Sequence, residues 1–174
     1  MTASGASVHA SAVQVGDRAV LIRGPSGAGK SRLAFNLILA GRSGQLPPAV
    51  LVGDDRVYLD TVAGQLRVRP SPKLGGLVEI RGLGIRRCDF VAEAFVGLVA
   101  DLGASDAERL PPPEALAINI NGVSLPRIPV GVGHDPLLLI VAALTTTAGS
   151  GPAQPLDDCP KQFGNHISLT IATD

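Results

Sequence analysis

Apolar residues along this chain come in short runs cut by glycine, proline and aspartate. From Val8 to Val15 they alternate loosely with polar positions, Gly16-Asp17 supplies a turn, and Arg18-Ala-Val-Leu-Ile-Arg23 follows. That pattern predicts a β-hairpin. Its second strand runs straight into Gly24-Pro-Ser-Gly-Ala-Gly-Lys-Ser31, beyond which Leu33, Ala34, Leu37, Ile38 and Ala40 recur at helical spacing. Gly41 is the expected C-cap of that helix. A Pro-rich connection over 42–48 leads to a continuous apolar strand, Ala49-Val-Leu-Val52, which ends in Gly53-Asp54-Asp55.

Two further strands are expected over 56–60 and 65–69, around the turn Val62-Ala63-Gly64. A loop then precedes Leu77-Val-Glu-Ile-Arg-Gly-Leu-Gly-Ile85, and apolar strands are expected over 95–102, 116–120 and 124–130. Asp135-Pro136 offers an N-cap and first helical residue for a helix through Leu144. The Thr-, Gly-, Ala- and Pro-rich stretch from Thr145 to Pro160 is expected to be mobile, and the tail 145–174 partly flexible. With no internal repeat and no composition break, 1–174 is expected to be one domain, its motifs within 8–147.

Composition narrows the function classes. A chain of 174 residues can bury a sizeable core. It has no Trp, one Tyr and four Phe, and its formal charge is zero, which disfavours a nucleic-acid binder working by base stacking or a basic face. Cys88 and Cys159 stand far apart without a CxxC or Cys/His cluster, as expected of incidental thiols in a reducing cytoplasm. No run approaches the roughly 20 apolar residues of a membrane span. A cytoplasmic protein without a membrane partner is expected.

The candidate chemistry centres on Gly24 to Ser31, which satisfies G-x-x-x-x-G-K-[ST] at every fixed position. Gly24, Gly27 and Gly29, with Pro25, Ser26 and Ala28 between them, would let backbone N–H groups turn inward around an anion. The helix starting at Lys30 adds its positive end. Lys30 would reach the β- and γ-phosphates, and the Ser31 hydroxyl would coordinate Mg²⁺. No N-K-x-D guanine-reading run follows, which favours ATP over GTP. Asp54 and Asp55, at the end of a buried strand, occupy the place of a Walker-B carboxylate beside Mg²⁺. Adjacent residues of an extended chain point to opposite sides, so one would approach the metal and the other the nucleophile.

Taken in order, Val8-His9, the phosphate loop, Gly53-Asp54-Asp55 and above all Leu77 to Ile85 resemble the catalytic domain of HPr kinase/phosphorylase, over most of the chain from His9 to Leu144. The resemblance implies an α/β fold, a P-loop-containing mixed β-sheet with flanking helices of the HPr kinase-like, phosphoenolpyruvate carboxykinase-like type. It implies an ATP- and Mg²⁺-dependent kinase acting on a serine of the phosphocarrier HPr, with phosphorolysis as a second activity and a hexameric homo-oligomer by family analogy. Site roles carry over by position: Asp55 as catalytic acid/base, Asp54 and Glu79 as Mg²⁺ contacts beside Ser31, and His9 near the phosphates. Arg81 lies in the signature loop, and Arg109 matches a catalytic arginine.

Two departures stand out. The chain begins almost at His9, so the N-terminal domain of longer members is expected to be missing. Where those members carry an arginine-rich run tied to dephosphorylation, this chain has Val130-Gly-Val-Gly-His-Asp135. Weak phosphorolysis is therefore expected. Two other readings stay open on the residues alone: a nucleotide-sensing module without transfer activity, and a small-molecule kinase.

Overall fold

The computed structural model of the protein describes residues 6–149; the rest of the expected flexible tail, and Cys159, lie outside the described residues. The chain forms β1 (Ala6–Val8), β2 (Ser11–Val15), β3 (Arg18–Arg23), α1 (Lys30–Arg42), β4 (Ala49–Gly53), β5 (Val57–Val62), β6 (Gln65–Pro70) and β7 (Leu77–Ile80). It continues with β8 (Gly84–Arg87), β9 (Ala94–Leu102), a 3₁₀ turn (Pro113–Leu116), β10 (Ala117–Ile120), β11 (Val123–Val130) and α2 (Pro136–Thr145). Nine strands build one mixed sheet in the order β1-β5-β6-β9-β3-β2-β4, with β11 also on β9 and β10 on β11; β7 and β8 pair separately. The expected mixed α/β sheet is thus the observed one.

The apolar alternation along each strand sorts the core into two layers. Val20 and Ile22 face α1 and α2, packing with Leu33, Leu37 and Ile140. Ala19 and Leu21 face the other way, against Val57, Leu66 and Val68. Both helices therefore lie on one side of the sheet, while the opposite side is closed by strands of the sheet itself. Along β9 the register on β3 shifts, Ala19 opposing Val96 and Val20 opposing Leu98. Gly97 is the extra residue of this bulge, so Val96 and Val99 share one face while Leu98, Ala100 and Leu102 share the other.

Two expectations need correction. The run Val8–Val15 is not one strand: it breaks at His9-Ala10, with β1 pairing antiparallel to β5 and β2 pairing with β3 and β4. Gly41 is not the C-cap either. It lies inside α1, whose C-cap is Ser43, and the left-handed residue after the helix is Gly44, at φ 76°. Gly41 is there because β4 passes against it: a Cβ at this position would sit 2.7 Å from both the backbone N and the Cβ of Ala49.

The C-terminal ends of the parallel strands β3, β9 and β11 are tied by charge. Arg23 donates twice to Asp101 (2.7 and 2.8 Å), and Arg127 donates to Asp101 (2.5 Å) and to Asp106 (2.6 and 3.0 Å). Burial alone would push the Asp101 carboxyl up, but the guanidiniums of Arg23 and Arg127 outweigh it and hold it below its ordinary value. Since Arg23 precedes Gly24 directly, this network anchors the entry of the phosphate loop.

Both features make predictions. Gly→Ala inside a helix ordinarily stabilises by about 1 kcal/mol. Gly41→Ala should instead destabilise by about 1–3 kcal/mol through overpacking against β4, seen as a lower Tm; an unchanged or raised Tm would contradict the close approach. For Asp101 the folded pKa is depressed, so its stabilisation is present above the unfolded carboxylate value of 3.8 and is lost as pH falls through the lower folded value. Urea unfolding should show Asp101→Asn markedly weaker than wild type at pH 7, with the gap closing below about pH 4. A gap that stays constant with pH would rule out a charged network.

Candidate active site

β3 enters the loop 24–29 and α1 leaves it, with Gly29 as a left-handed N-cap at φ 95°. No acidic residue occupies the first turn of α1, so the positive end of the helix is uncompensated there. Gly24 is needed for close approach, since a Cβ on it would lie 2.8 Å from the carbonyl oxygen of Leu102 on β9. The loop therefore sits directly on the end of the neighbouring parallel strand.

Lys30 is buried, at 6% exposure, and its ammonium donates to the carbonyls of Gly24 and Pro25, each at 2.9 Å. Among the described residues it forms no ion pair. A buried cation satisfied only by neutral carbonyls is electrostatically incomplete. Its natural complement is an anion held by the same loop.

The two aspartates point apart, but a tight turn separates them and not the strand pleat. Arg56 N–H donates to the carbonyl of Asp54 (2.7 Å), closing a three-residue turn with Asp55 at its centre, at φ 64°. Ala63 and Asn121, the other described non-glycine residues at positive φ, sit in hairpin turns. Asp55 does not, and backbone strain away from a hairpin tip is a mark of functional positions. The turn sends Asp54 inward, 3% exposed, and leaves the Asp55 side chain in solvent.

Asp54 accepts from the Ser11 hydroxyl (2.5 Å) and from the backbone N–H of Glu79 (3.2 Å). The pairing of Ala12 with Gly53 brings Ser11 to this position. Sequence reasoning missed Ser11; its signal was a hydroxyl at an inward-facing strand position. Across the break between β1 and β2, His9 Nε2 lies 3.1 Å from Asp55 Oδ1.

A cleft of about 570 Å³ opens over the loop. Ser26 to Ser31, His9, Asp55, Glu79 and Arg81 share its walls, so the structure brings ten of the expected residues to one place; Gly24 and Pro25 are not on the lining. Asp54 is not on the lining; it stands behind Glu79 and holds that residue's backbone. Arg109 is exposed on the segment between β9 and the 3₁₀ turn and is not on the lining either. Among the described residues, no three His, Cys, Asp or Glu side chains converge as a metal cage. A hydroxyl and one or two carboxylates beside a phosphate cradle are the donor set Mg²⁺ takes when phosphates and water complete its shell, so Ser31 and Glu79 fit that ion.

A family model described as the HPr serine kinase C-terminal domain matches residues 1–92, more than half of the chain. The chain belongs to this family. The HPr kinase/phosphorylase of Neisseria meningitidis (strain FAM18) is 32% identical over 152 residues, covering 78% of this chain and 45% of the relative. That of Azoarcus sp. (strain BH72) is 33% identical over 156 residues, covering 81% and 47%. The chain thus spans about half the length of the curated relatives it matches. A solved structure of the Hpr(Ser) kinase/phosphatase from Coxiella burnetii superimposes with a TM-score of 0.64 at 27% identity, covering 79% of this chain and 92% of that one.

The HPr serine kinase C-terminal domain match contains the loop, both aspartates, Glu79 and Arg81, and ends before Arg109. Among the described residues no helix is long and apolar enough to cross a membrane.

Proposed function

We propose that this chain transfers the γ-phosphoryl group of ATP to a serine hydroxyl of HPr or a related phosphocarrier protein. The observation that carries the proposal is the buried Lys30 ammonium, which has no carboxylate partner among the described residues and lies beside an open cleft at a helix N-terminus. A triphosphate laid along Gly24–Ser31 would meet loop N–H groups, the helix end and Lys30 together.

Serine is a weak nucleophile until its proton has an acceptor. Asp55, exposed to the cleft and beside His9, would take that proton as the serine oxygen bonds to the γ-phosphorus. The bond to the bridging oxygen breaks, and ADP leaves. His9, 3.1 Å away, orients the carboxylate. Mg²⁺ held by Ser31 and Glu79 would neutralise charge on the transferring phosphates, with Asp54 fixing Glu79 from behind. Arg109 lies off the cleft lining, and no step of this transfer requires it. The family resemblance extends the proposal to a cytoplasmic enzyme assembled as a hexamer.

Incubation with labelled ATP, Mg²⁺ and purified HPr should place the label on a serine. Asp55→Asn should lower that transfer by about 10²-fold or more while ATP affinity changes by only a few-fold. Retention of transfer would remove Asp55 from the acid/base role, and a wild-type chain that binds ATP without labelling HPr would be a nucleotide sensor.

The turn after β11, Gly131 to Asp135, carries no arginine and none of it lines the cleft. A second phosphate therefore lacks guanidinium partners there. Phosphoserine-HPr mixed with inorganic phosphate should release pyrophosphate at least about tenfold more slowly than ATP-driven transfer proceeds; comparable rates would show that the arginine run is dispensable.

A further inference from the structure

The cleft is longer than a phosphate cradle requires. Past Ser31 its wall continues along the first two turns of α1 through Arg32, Phe35 and Asn36, with Ile80 of β7 also on the lining. The core face of α1 is Leu33, Ala34, Leu37 and Ile38, all buried. Phe35 falls off that face: it is half-buried, belongs to neither core cluster and lines the cleft. In a chain with only four Phe, one Tyr and no Trp, an aromatic ring spent on a polar cleft is conspicuous. Nothing in the phosphate chemistry calls for it.

We propose that Phe35 is the platform on which the base of the bound nucleotide stacks, with Ile80 adding apolar wall and Asn36 and Arg32 offering polar groups to the base edge and sugar. The inference rests on the triphosphate reading of the loop. Four to five residues separate Ser31 from Phe35 and Asn36, about 6–8 Å along a helix, which leaves room for the sugar between phosphates and base. An aromatic face suits any base, because every base has a π-face. The Asn36 amide presents both a donor and an acceptor and so can pair with a base edge. The donor nucleotide is thereby held at both ends, by charge at the loop and by ring contact at Phe35.

Calorimetric titration with Mg²⁺-ATP and with Mg²⁺-tripolyphosphate, which has no base, separates the two ends. Wild type should bind ATP about tenfold or more tightly than tripolyphosphate, the range base–aromatic stacking supplies. Phe35→Leu, which keeps apolar bulk for folding, should lose that preference with tripolyphosphate affinity unchanged. Phe35→Trp should restore it, and as the sole tryptophan its fluorescence should be quenched by ATP and not by tripolyphosphate. Equal wild-type affinity for both ligands, or full ATP affinity in Phe35→Leu, would overturn the stacking platform while leaving the phosphate loop intact. Failure of wild type to bind either ligand would remove the loop reading and the base platform together.

Discussion

The site depends on a lysine ammonium kept out of water with only neutral oxygens for company. Lys30 is held at the base of α1 between β3 and the loop, and its hydrogen bonds run to Gly24 and Pro25. A carbonyl contact to a charged donor contributes about 1.5–3 kcal/mol, while removing an ammonium from water costs several. Two carbonyls come near to compensating that cost but add no negative charge. A phosphate would add both hydrogen-bond acceptors and charge. The surrounding structure maintains this imbalance: Gly24 seats the loop on the Leu102 carbonyl, and the acid-free first turn of α1 leaves the helix end open.

The paired aspartates show how one tight turn assigns two roles to adjacent identical side chains. Asp54 is sealed beneath the sheet end with both oxygens engaged by Ser11 and the Glu79 backbone. It cannot meet a substrate without giving up those partners. Asp55, turned outward at φ 64°, has one described polar contact, to His9, and a free approach from solvent. The buried acid links β2, β4 and β7 into a frame; the exposed acid projects from that frame into the cleft. The signature hairpin β7–β8 thereby hangs from Asp54, which explains why Glu79 and Arg81 arrive at the phosphate loop despite forming no part of the main sheet.

Much of this was readable from residues because local chemistry fixed it. Gly16-Asp17 and Ala63-Gly64 set hairpin turns, Asp135 caps α2 by accepting from the N–H groups of Leu137 and Leu138, and the loop motif fixes each contributing position. What escaped was set by tertiary approach. The break at His9-Ala10 is invisible because both flanks alternate alike, although β1 and β2 pair with different partners. Gly41 looks like a helix stop until Ala49 is seen pressing on it. Gly97 reads as an ordinary strand glycine, yet its bulge decides which β9 side chains meet the helices. Arg109 lies in an irregular segment whose path no periodicity constrains, so its place off the cleft lining was not legible. The same limit hid Phe35, which helical spacing marks as off the core face but cannot assign to a cleft.

Charge balance explains how a chain with zero net charge can select a polyanion. At the ends of β3, β9 and β11, two guanidiniums meet two carboxylates, so Arg23, Arg127, Asp101 and Asp106 cancel one another just behind the loop. On β5 and β6, Arg67 is likewise spent on Asp60 and Glu93. Neutralised pairs contribute little field beyond about a Debye length, roughly 8–10 Å. Among the described residues, Lys30, Arg32 and Arg81 line the cleft without an ion pair, and the start of α1 faces the same space. Anion preference is therefore a local property, created by cancelling the charges behind the loop while the positive groups on the cleft wall stay unpaired. The acids on the far wall, Asp55 and Glu79, fit the same scheme, because a divalent cation and a transferred proton are the positive species the reaction brings with it.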